Sequence, residues 1–340
     1  MKKNLFLLFV SLAISLVVAE LICRWQGAYL SYNERTGAGG YTSPFETDTR
    51  GWIRCYDPYA KRFLKRSEFT DSWTANEDGL KDLNISPGKK GKRILILGDS
   101  FTEGVGAPPD SSYPRILESL LHASDSSVQV TDAGIGGSDI FFEYKLLQHL
   151  MQKYKPDVVI DATNPTDVID FLTRGGFDRF LPDNKVQYRQ GPWFEPLYES
   201  SFLVRRMVHN VFHYNYIFIR EKDYPAEVQK AQIQMCVAID SFQTLCALNH
   251  IQFIQMLQPG ATDFERQQNY SMAQLANYCR QKNIVCIDEL AYLQGRGINA
   301  KNWESIYWPV DGHFKSGGYR LLALSLYEYF EKQKMLAAAK

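Results

Sequence analysis

Short apolar runs alternate along most of this chain with longer segments in which apolar residues return every three or four positions. The runs at 94–97, 128–130, 156–160, 251–257 and 284–287 are the length of buried strands. Between them lie helical patterns: one opening at Ser112 and Pro114 with Ile116, Leu117, Leu120 and Leu121 on one face, and one carrying Phe141, Phe142, Leu146, Leu147 and Leu150. Further helical patterns cover 226–248, 271–282 and 321–330. Strands that alternate with helices predict an α/β protein with a doubly wound parallel sheet of about five strands.

Two segments break the alternation. Lys2 and Lys3 precede a nearly unbroken apolar run over 5–19, extended by Leu21, Ile22 and Trp25 at the cost of including Glu20. This is the pattern of a signal anchor or a signal peptide. Val17-Val18-Ala19 would serve as a cleavage site, whereas Trp25 suits the far interface of a retained anchor, which we expect. Cys23 lacks the preceding small residue that lipid attachment requires. The second segment, 181–224, is long and aromatic, with Trp193, Phe194, Tyr198, Phe202, Phe212, Tyr214, Tyr216 and Phe218. It reads as an insertion that either walls a substrate site or fills a small core of its own. The expected division is a membrane segment over 1–25, an extension over 26–92 packed on the core through short strands or loops, and a main domain over 93–335. Glycines 37, 39 and 40, Pro44, Pro58 and the run Lys89, Lys90, Lys92 punctuate the extension, and Asn76 to Gly79 signals a turn.

Composition narrows the picture. With 38 basic and 38 acidic residues the formal charge is zero, which gives no reason to expect nucleic acid. Six cysteines in 340 residues are too few for a disulfide scaffold, and none has zinc spacing. They read as small buried residues with at most an occasional bridge.

The first strand leads through Gly98 into Asp99 and Ser100, which sets a hydroxyl at the carboxyl edge of the sheet, where open parallel sheets bind ligands. Taken alone, Asp99 or Ser100 could simply cap a helix. Near the other end, Asp311-Gly312-His313 stands just ahead of a helical pattern. A serine becomes a nucleophile when a histidine takes its proton, and a carboxylate fixes the histidine tautomer. Ser100, His313 and Asp311 are therefore the candidate catalytic residues.

On these residues the chain resembles the SGNH hydrolases, also called GDSL esterases and lipases, from Arg93 to its C-terminus. The first block is Gly98-Asp99-Ser100 with Phe101 to Gly104, and the last is Asp311-Gly312-His313 with Gly318 and Tyr319. Asp132 to Ser138 is similar to the second block, with Asp132 where asparagine is common and Gly137 where a backbone amide meets the oxyanion. Asn164-Pro165-Thr166-Asp167 stands at the third block. There, aligned on Asp167, Thr166 occupies the position of the usual oxyanion asparagine, with Asn164 displaced by two. The Asp-to-His gap of two, instead of three, resembles the polysaccharide acetyltransferase branch.

The resemblance implies a flavodoxin-like winding, ester hydrolysis or acyl transfer through a serine nucleophile, and no cofactor. It also implies an oxyanion hole from the amides of Ser100 and Gly137 with Thr166 or Asn164. Asp99, Arg174, Arg179 and Trp193 are the candidates for touching substrate, although an arginine in the glycine-rich loop 174–179 also suits an ion pair with Asp170 or Asp178. His209 and His213, one helical turn apart without an acidic partner, do not make a metal site. The expectation is a membrane-anchored, exported serine hydrolase acting on an ester or acylated glycan. An O-acyltransferase and a non-catalytic glycan-binding protein are the alternatives.

Overall fold

The computed structural model describes residues 2–27, 30, 40–46, 55–85, 91–182, 185–265 and 271–334. Glycines 37 and 39 and the pair Lys89 and Lys90 lie outside them. The chain divides into two compact units. The first comprises 1–48, 172–175 and 188–229, and the second comprises 49–171, 176–187 and 230–340.

In chain order, helix α1 (Lys2–Gln26) is followed by a hairpin of β1 (Lys61–Lys65) and β2 (Thr70–Thr74). The alternating part then runs β3 (Arg93–Gly98), α2 (Tyr113–His122), β4 (Gln129–Gly134), α3 (Ile140–Tyr154), β5 (Val158–Thr163) and α4 (Thr166–Arg174). Short helices α5 (Glu195–Ser200) and α6 (Phe202–Arg206) lie in the insertion. Helix α7 (Tyr224–Leu248), β6 (Gln252–Leu257), α8 (Ala261–Glu265), α9 (Ala273–Lys282), β7 (Cys286–Asp288), α10 (Glu289–Gly295) and α11 (Ser316–Gln333) complete the chain.

In the second unit the sheet order is β4-β3-β5-β6-β7, and every neighbouring pair is parallel. Counted along the chain this is the order 2-1-3-4-5, so the winding reverses between β3 and β5 and opens a crevice beyond their carboxyl ends. The five expected strands and the expected winding are present. Strands buried on both faces read as continuous apolar runs because each alternate residue meets a different helix layer. Ile94, Ile96, Val130 and Ile160 join Leu117 and Leu121 of α2 and Leu322 and Leu326 of α11 in one core cluster. On β6, Phe253 stacks on Phe242 of α7, 5.3 Å between ring centroids.

The extension contributes the β1–β2 hairpin to this unit, with Lys65 opposite Thr70. The turn expected at Asn76 forms: Gly79 N–H donates to Asn76 O, and Gly79 has φ +75°. Next to it Lys81 Nζ bonds Asp71 Oδ2 at 2.6 Å, with the two side chains 3% and 2% exposed.

In the first unit, α1 presents its apolar side chains outward, and its length and hydropathy suit a membrane span. Its last turns bond the insertion. Glu20 accepts from Ser201 Oγ and from the N–H groups of Phe202 and Leu203, and Arg24 donates to Ser200 O at 2.8 Å. The carboxylate thus caps the start of α6. The aromatic residues of the insertion mostly make a small core, with Tyr198 and Phe218 edge-to-face at 4.9 Å and Tyr41, Phe45 and Phe194 packed around them. His209 is absorbed there, hydrogen-bonded to Tyr198 Oη and Tyr214 O. All six cysteines are free thiols.

Breaking a buried ion pair leaves an uncompensated charge. Asp71→Ala should therefore destabilise the second unit by about 3–5 kcal/mol, and Asp71→Leu combined with Lys81→Met should recover most of that loss. The midpoints of denaturant unfolding measure both.

Candidate active site

The turn that carries Ser100 is built by close approach. A Cβ at Gly98 would stand 2.0 Å from Thr102 Oγ1, and one at Gly134, where β4 ends, would stand 2.2 Å from the Glu103 nitrogen. Glycine at both strand ends lets the chain after β3 fold against them. Thr102 and Glu103 donate their N–H groups to Asp99 O, Val105 N–H donates to Ser100 O, and Asp99 Oδ1 accepts Phe101 N–H at 2.8 Å. Ser100 is left half-buried at the edge of the crevice.

His313 comes to it from the loop before α11. That loop is pinned by Trp308 N–H to His313 O and Gly312 N–H to Trp308 O, both 2.8 Å, and by Trp308 Nε1 to Gly106 O at 2.9 Å. The His313 ring lies 4.8 Å from that of Phe101. Ser100 Oγ is 2.8 Å from His313 Nε2, and His313 Nδ1 bonds Asp311 Oδ1, so the three expected residues form one hydrogen-bonded row. Asp311 is almost fully enclosed, its side chain 2% exposed.

Beyond β5, Asn164 Oδ1 accepts both Thr166 N–H at 2.9 Å and Thr166 Oγ1–H at 2.7 Å. The same hydroxyl lies 3.0 Å from Asp99 Oδ2, so its single proton is shared between two acceptors. Among the described residues Asn164 Nδ2 has no hydrogen-bond partner although it is buried. Burial pushes the Asp99 carboxyl up, against the pull of the neighbouring Asn164 amide and Phe101 N–H. Asp167 does not face substrate: its two oxygens accept Ile140 N–H at 2.8 Å and Asn164 N–H at 2.9 Å.

These residues line a cleft of about 500 Å³ that reaches Ser100, His313, Gly137 and Asn164 and is closed on other sides by Ile169 and Thr262. Gly137 adopts φ +76°, a conformation other residues seldom take. Behind it Asp132 accepts Gly134 N–H and Ser112 Oγ–H. Burial, and then the charge of Asp82, push Asp132 up to about 8.

The other candidates are used differently. Arg179 is buried and makes a two-pronged ion pair with Asp139, at 2.7 and 2.8 Å. Asp139 in turn caps α3. Arg174 and Trp193 belong to the first unit, where Arg174 Nε is 4.0 Å from Glu46 Oε2 and Trp193 is 85% exposed beside Phe194.

Sequence reasoning missed two groups. Glu103 is 2% exposed, accepts Tyr56 Oη–H at 2.8 Å, and has Oε2 beside Gly136. Arg66 and Glu68, at the hairpin tip, contact Asp311. No local pattern announces either, since both partnerships join residues far apart in sequence.

No family model and no curated protein sequence matches this chain. Among solved structures it is similar to a psychrotrophic esterase from Pseudoalteromonas sp., at 13% identity over 72% of this chain and 98% of that one, TM-score 0.44. It is also similar to a lipolytic protein of the G-D-S-L family from Desulfitobacterium hafniense, at 16% identity over 70% and 99%, TM-score 0.43. A two-domain esterase active on acetylated mannans is similar at 18% identity over 73% of this chain and 50% of that one, TM-score 0.41.

Burial pushes the Glu103 carboxyl from 4.5 to about 7, with the Tyr56 hydrogen bond acting in the opposite direction. A carboxyl held above its unfolded value binds a proton more tightly in the folded state. Its folded form therefore loses stability as pH rises from about 4.5 to about 7, by roughly 3 kcal/mol in all. Glu103→Gln should remove that part of the decline, seen as a flatter dependence of unfolding midpoint on pH over this window.

Proposed function

We propose that this chain is a membrane-anchored serine hydrolase that cleaves carboxylic esters by way of an acyl-enzyme. The observation that carries the reading is the 2.8 Å contact of Ser100 Oγ with His313 Nε2 at the mouth of the cleft, backed by Asp311 on Nδ1. His313 takes the Ser100 proton as Oγ attacks the ester carbonyl, then returns it to the departing alkoxide. A water then attacks the acyl carbonyl as His313 takes its proton, and His313 passes that proton to Ser100 Oγ as the Oγ–acyl bond breaks and the acid leaves. Asp311 holds the ring tautomer throughout and stabilises the imidazolium.

The oxyanion is met by the amides of Ser100 and Gly137 and by Asn164 Nδ2. The choice between Asn164 and Thr166 follows from proton counting. The Thr166 hydroxyl already gives its proton to Asn164 Oδ1 or Asp99 Oδ2, whereas the buried Asn164 Nδ2 carries two protons and only the neighbouring Asp99 carboxyl draws on them, which leaves one for substrate. Thr166 accordingly orients the amide instead of donating to substrate. Donors fixed in advance and kept from water lower the barrier because nothing reorganises as charge develops.

An O-acyl group on a glycan fits the same chemistry, and capture of the acyl-enzyme by a sugar hydroxyl instead of water would make the enzyme a transferase. Lys2 and Lys3 at the start of α1 favour an N-terminus in the cytoplasm and the chain beyond α1 outside it.

Ser100→Ala and His313→Ala should each abolish nearly all hydrolysis of an activated ester, and the double variant should be hardly worse, because members of one catalytic unit fail together. Asn164→Ala should lower kcat by roughly 10²-fold with KM little changed, and Thr166→Val by no more than about tenfold. A fluorophosphonate should label Ser100 alone, mapped by mass spectrometry. A folded wild-type protein that neither turns over ester nor labels would sink the reading. Protease added to intact spheroplasts should digest the chain beyond α1, and full protection would exclude export.

A further inference from the structure

The loop that carries Asp311 is short and stands partly in solvent: Val310 is 56% exposed, and Gly312 needs φ +87° to close the turn. An isolated bridge between Tyr307 and Phe314 and the Trp308 N–H to His313 O bond close the base of this loop, and Asp311 stands at its outer turn, where a two-residue step to His313 leaves little chain with which to correct a misplacement. What fixes it comes from the other end of the second unit's sequence. Glu68 Oε2 accepts the N–H groups of Val310 at 3.0 Å and of Asp311 at 2.8 Å. Arg66 Nε lies 3.6 Å from Asp311 Oδ2, the oxygen not used by His313. Phe69 packs on Trp308, 5.6 Å between ring centroids, and Arg66 N–H closes the hairpin tip onto Phe69 O at 2.9 Å.

We propose that the hairpin tip, Arg66 to Phe69, is a clamp on the Asp311–His313 loop, with Glu68 and Arg66 as positioning residues for the proposed esterase chemistry. Their effects are separable. Glu68 sets the backbone of the loop through two charge-assisted hydrogen bonds, which are stronger and more directional than neutral ones. Arg66 supplies a positive charge on the outer side of the Asp311 carboxylate. This holds the carboxylate turned so that Oδ1 stays on His313. The clamp also covers Asp311, whose side chain is 2% exposed while that of Arg66 is 33% exposed. Removing it would let water compete for the carboxylate and let the histidine ring turn away from Ser100. Displacements of about 1 Å in such a row cost on the order of 10²-fold in rate. The extension before β3 is on this account part of the catalytic apparatus, although it holds none of the residues that touch substrate.

This inference rests on the esterase reading for its kinetic consequence, but its geometric content can be read without turnover. The full chain is compared with Glu68→Ala, Glu68→Gln, Arg66→Met and, as a control at the same tip, Ser67→Ala. Two quantities are measured: hydrolysis of p-nitrophenyl acetate, and the low-field proton resonance of the His313 imidazole bonded to Asp311, assigned by its absence in His313→Ala. Glu68→Ala and Arg66→Met should each lower kcat by about 10- to 100-fold with KM within about twofold, and should broaden or abolish the resonance. Glu68→Gln, whose amide oxygen still accepts both N–H groups, should recover most of the rate and the signal, which a general loss of packing would not allow. Should Glu68→Ala fail to fold, the milder Arg66→Met and Glu68→Gln carry the comparison.

A sharp wild-type resonance in both Glu68→Ala and Arg66→Met would overturn the clamp, whatever the activity. Unchanged kcat in folded Glu68→Ala and Arg66→Met would overturn it too. Wild-type protein that hydrolyses nothing, together with loss of the resonance in Glu68→Ala, would sink the esterase reading and leave the clamp standing.

Discussion

Where parallel strands end, the amides of the departing turns must find acceptors away from water, and in this protein aspartates supply them. Asp99 takes Phe101 N–H, Asp132 takes Gly134 N–H, Asp139 takes those of Phe141 and Phe142, and Asp167 takes those of Ile140 and Asn164. Each lies at the carboxyl edge of β3, β4 or β5 or in the turn that follows, and each is buried. A buried carboxyl is costly unless it is bonded, and a buried N–H is costly for the same reason, so the two needs satisfy one another. At Asp167, burial and then the nearby charges of Asp99 and Asp139 push the carboxyl well above the usual carboxylate range. The cleft inherits its shape from this scheme: the turn that carries Ser100 and the one that carries Asn164 are fixed by it before any substrate arrives.

The sheet was legible in the sequence because strands buried on both faces leave unmistakable apolar runs, and the helices between them leave a period that differs. Each of the five expected strands lies within a few residues of its structural counterpart, the largest offset being at the end of β4, read over 128–130 and found at Gln129–Gly134. The row of Ser100, His313 and Asp311 was legible for a chemical reason, since few other arrangements call for a serine at a glycine-ended strand and an Asp-x-His ahead of the last helix. Arg66 and Glu68 were not legible as contacts of the Asp311 loop, because an ion pair or a hydrogen bond across the fold leaves no periodic trace in the chain. Arg179 had the residue type of an anion ligand and the burial of a structural one. Its two contacts with Asp139 favour the structural use.

The aromatic insertion could equally have been a wall or a core, and its composition alone cannot separate the two. Its rings meet each other edge-to-face, Tyr198 with Phe218 and Phe194 with Phe218, the arrangement in which the ring quadrupoles attract. The segment is small, so these few rings and Arg205, buried among them over Phe202 and Tyr198, make up much of its interior. The end of α1 belongs to the same unit and is bonded to it through Glu20 and Arg24. A carboxylate near the end of an apolar helix, at odds with its neighbours in the sequence, finds its purpose in the N–H groups of Phe202 and Leu203.

The hydrogen bond between Ser100 and His313 joins residues 213 positions apart, and the one between Glu68 and Asp311 joins residues 243 apart. Contacts of such separation form late, because the chain between them must be ordered before they repay the entropy of closing the loop. While the polypeptide is being synthesised, Ser100 is therefore an ordinary alcohol until the chain has been made as far as His313, 213 positions later. On the proposed chemistry, latency is written into that spacing: the nucleophile is made first, and the group that would arm it follows long after.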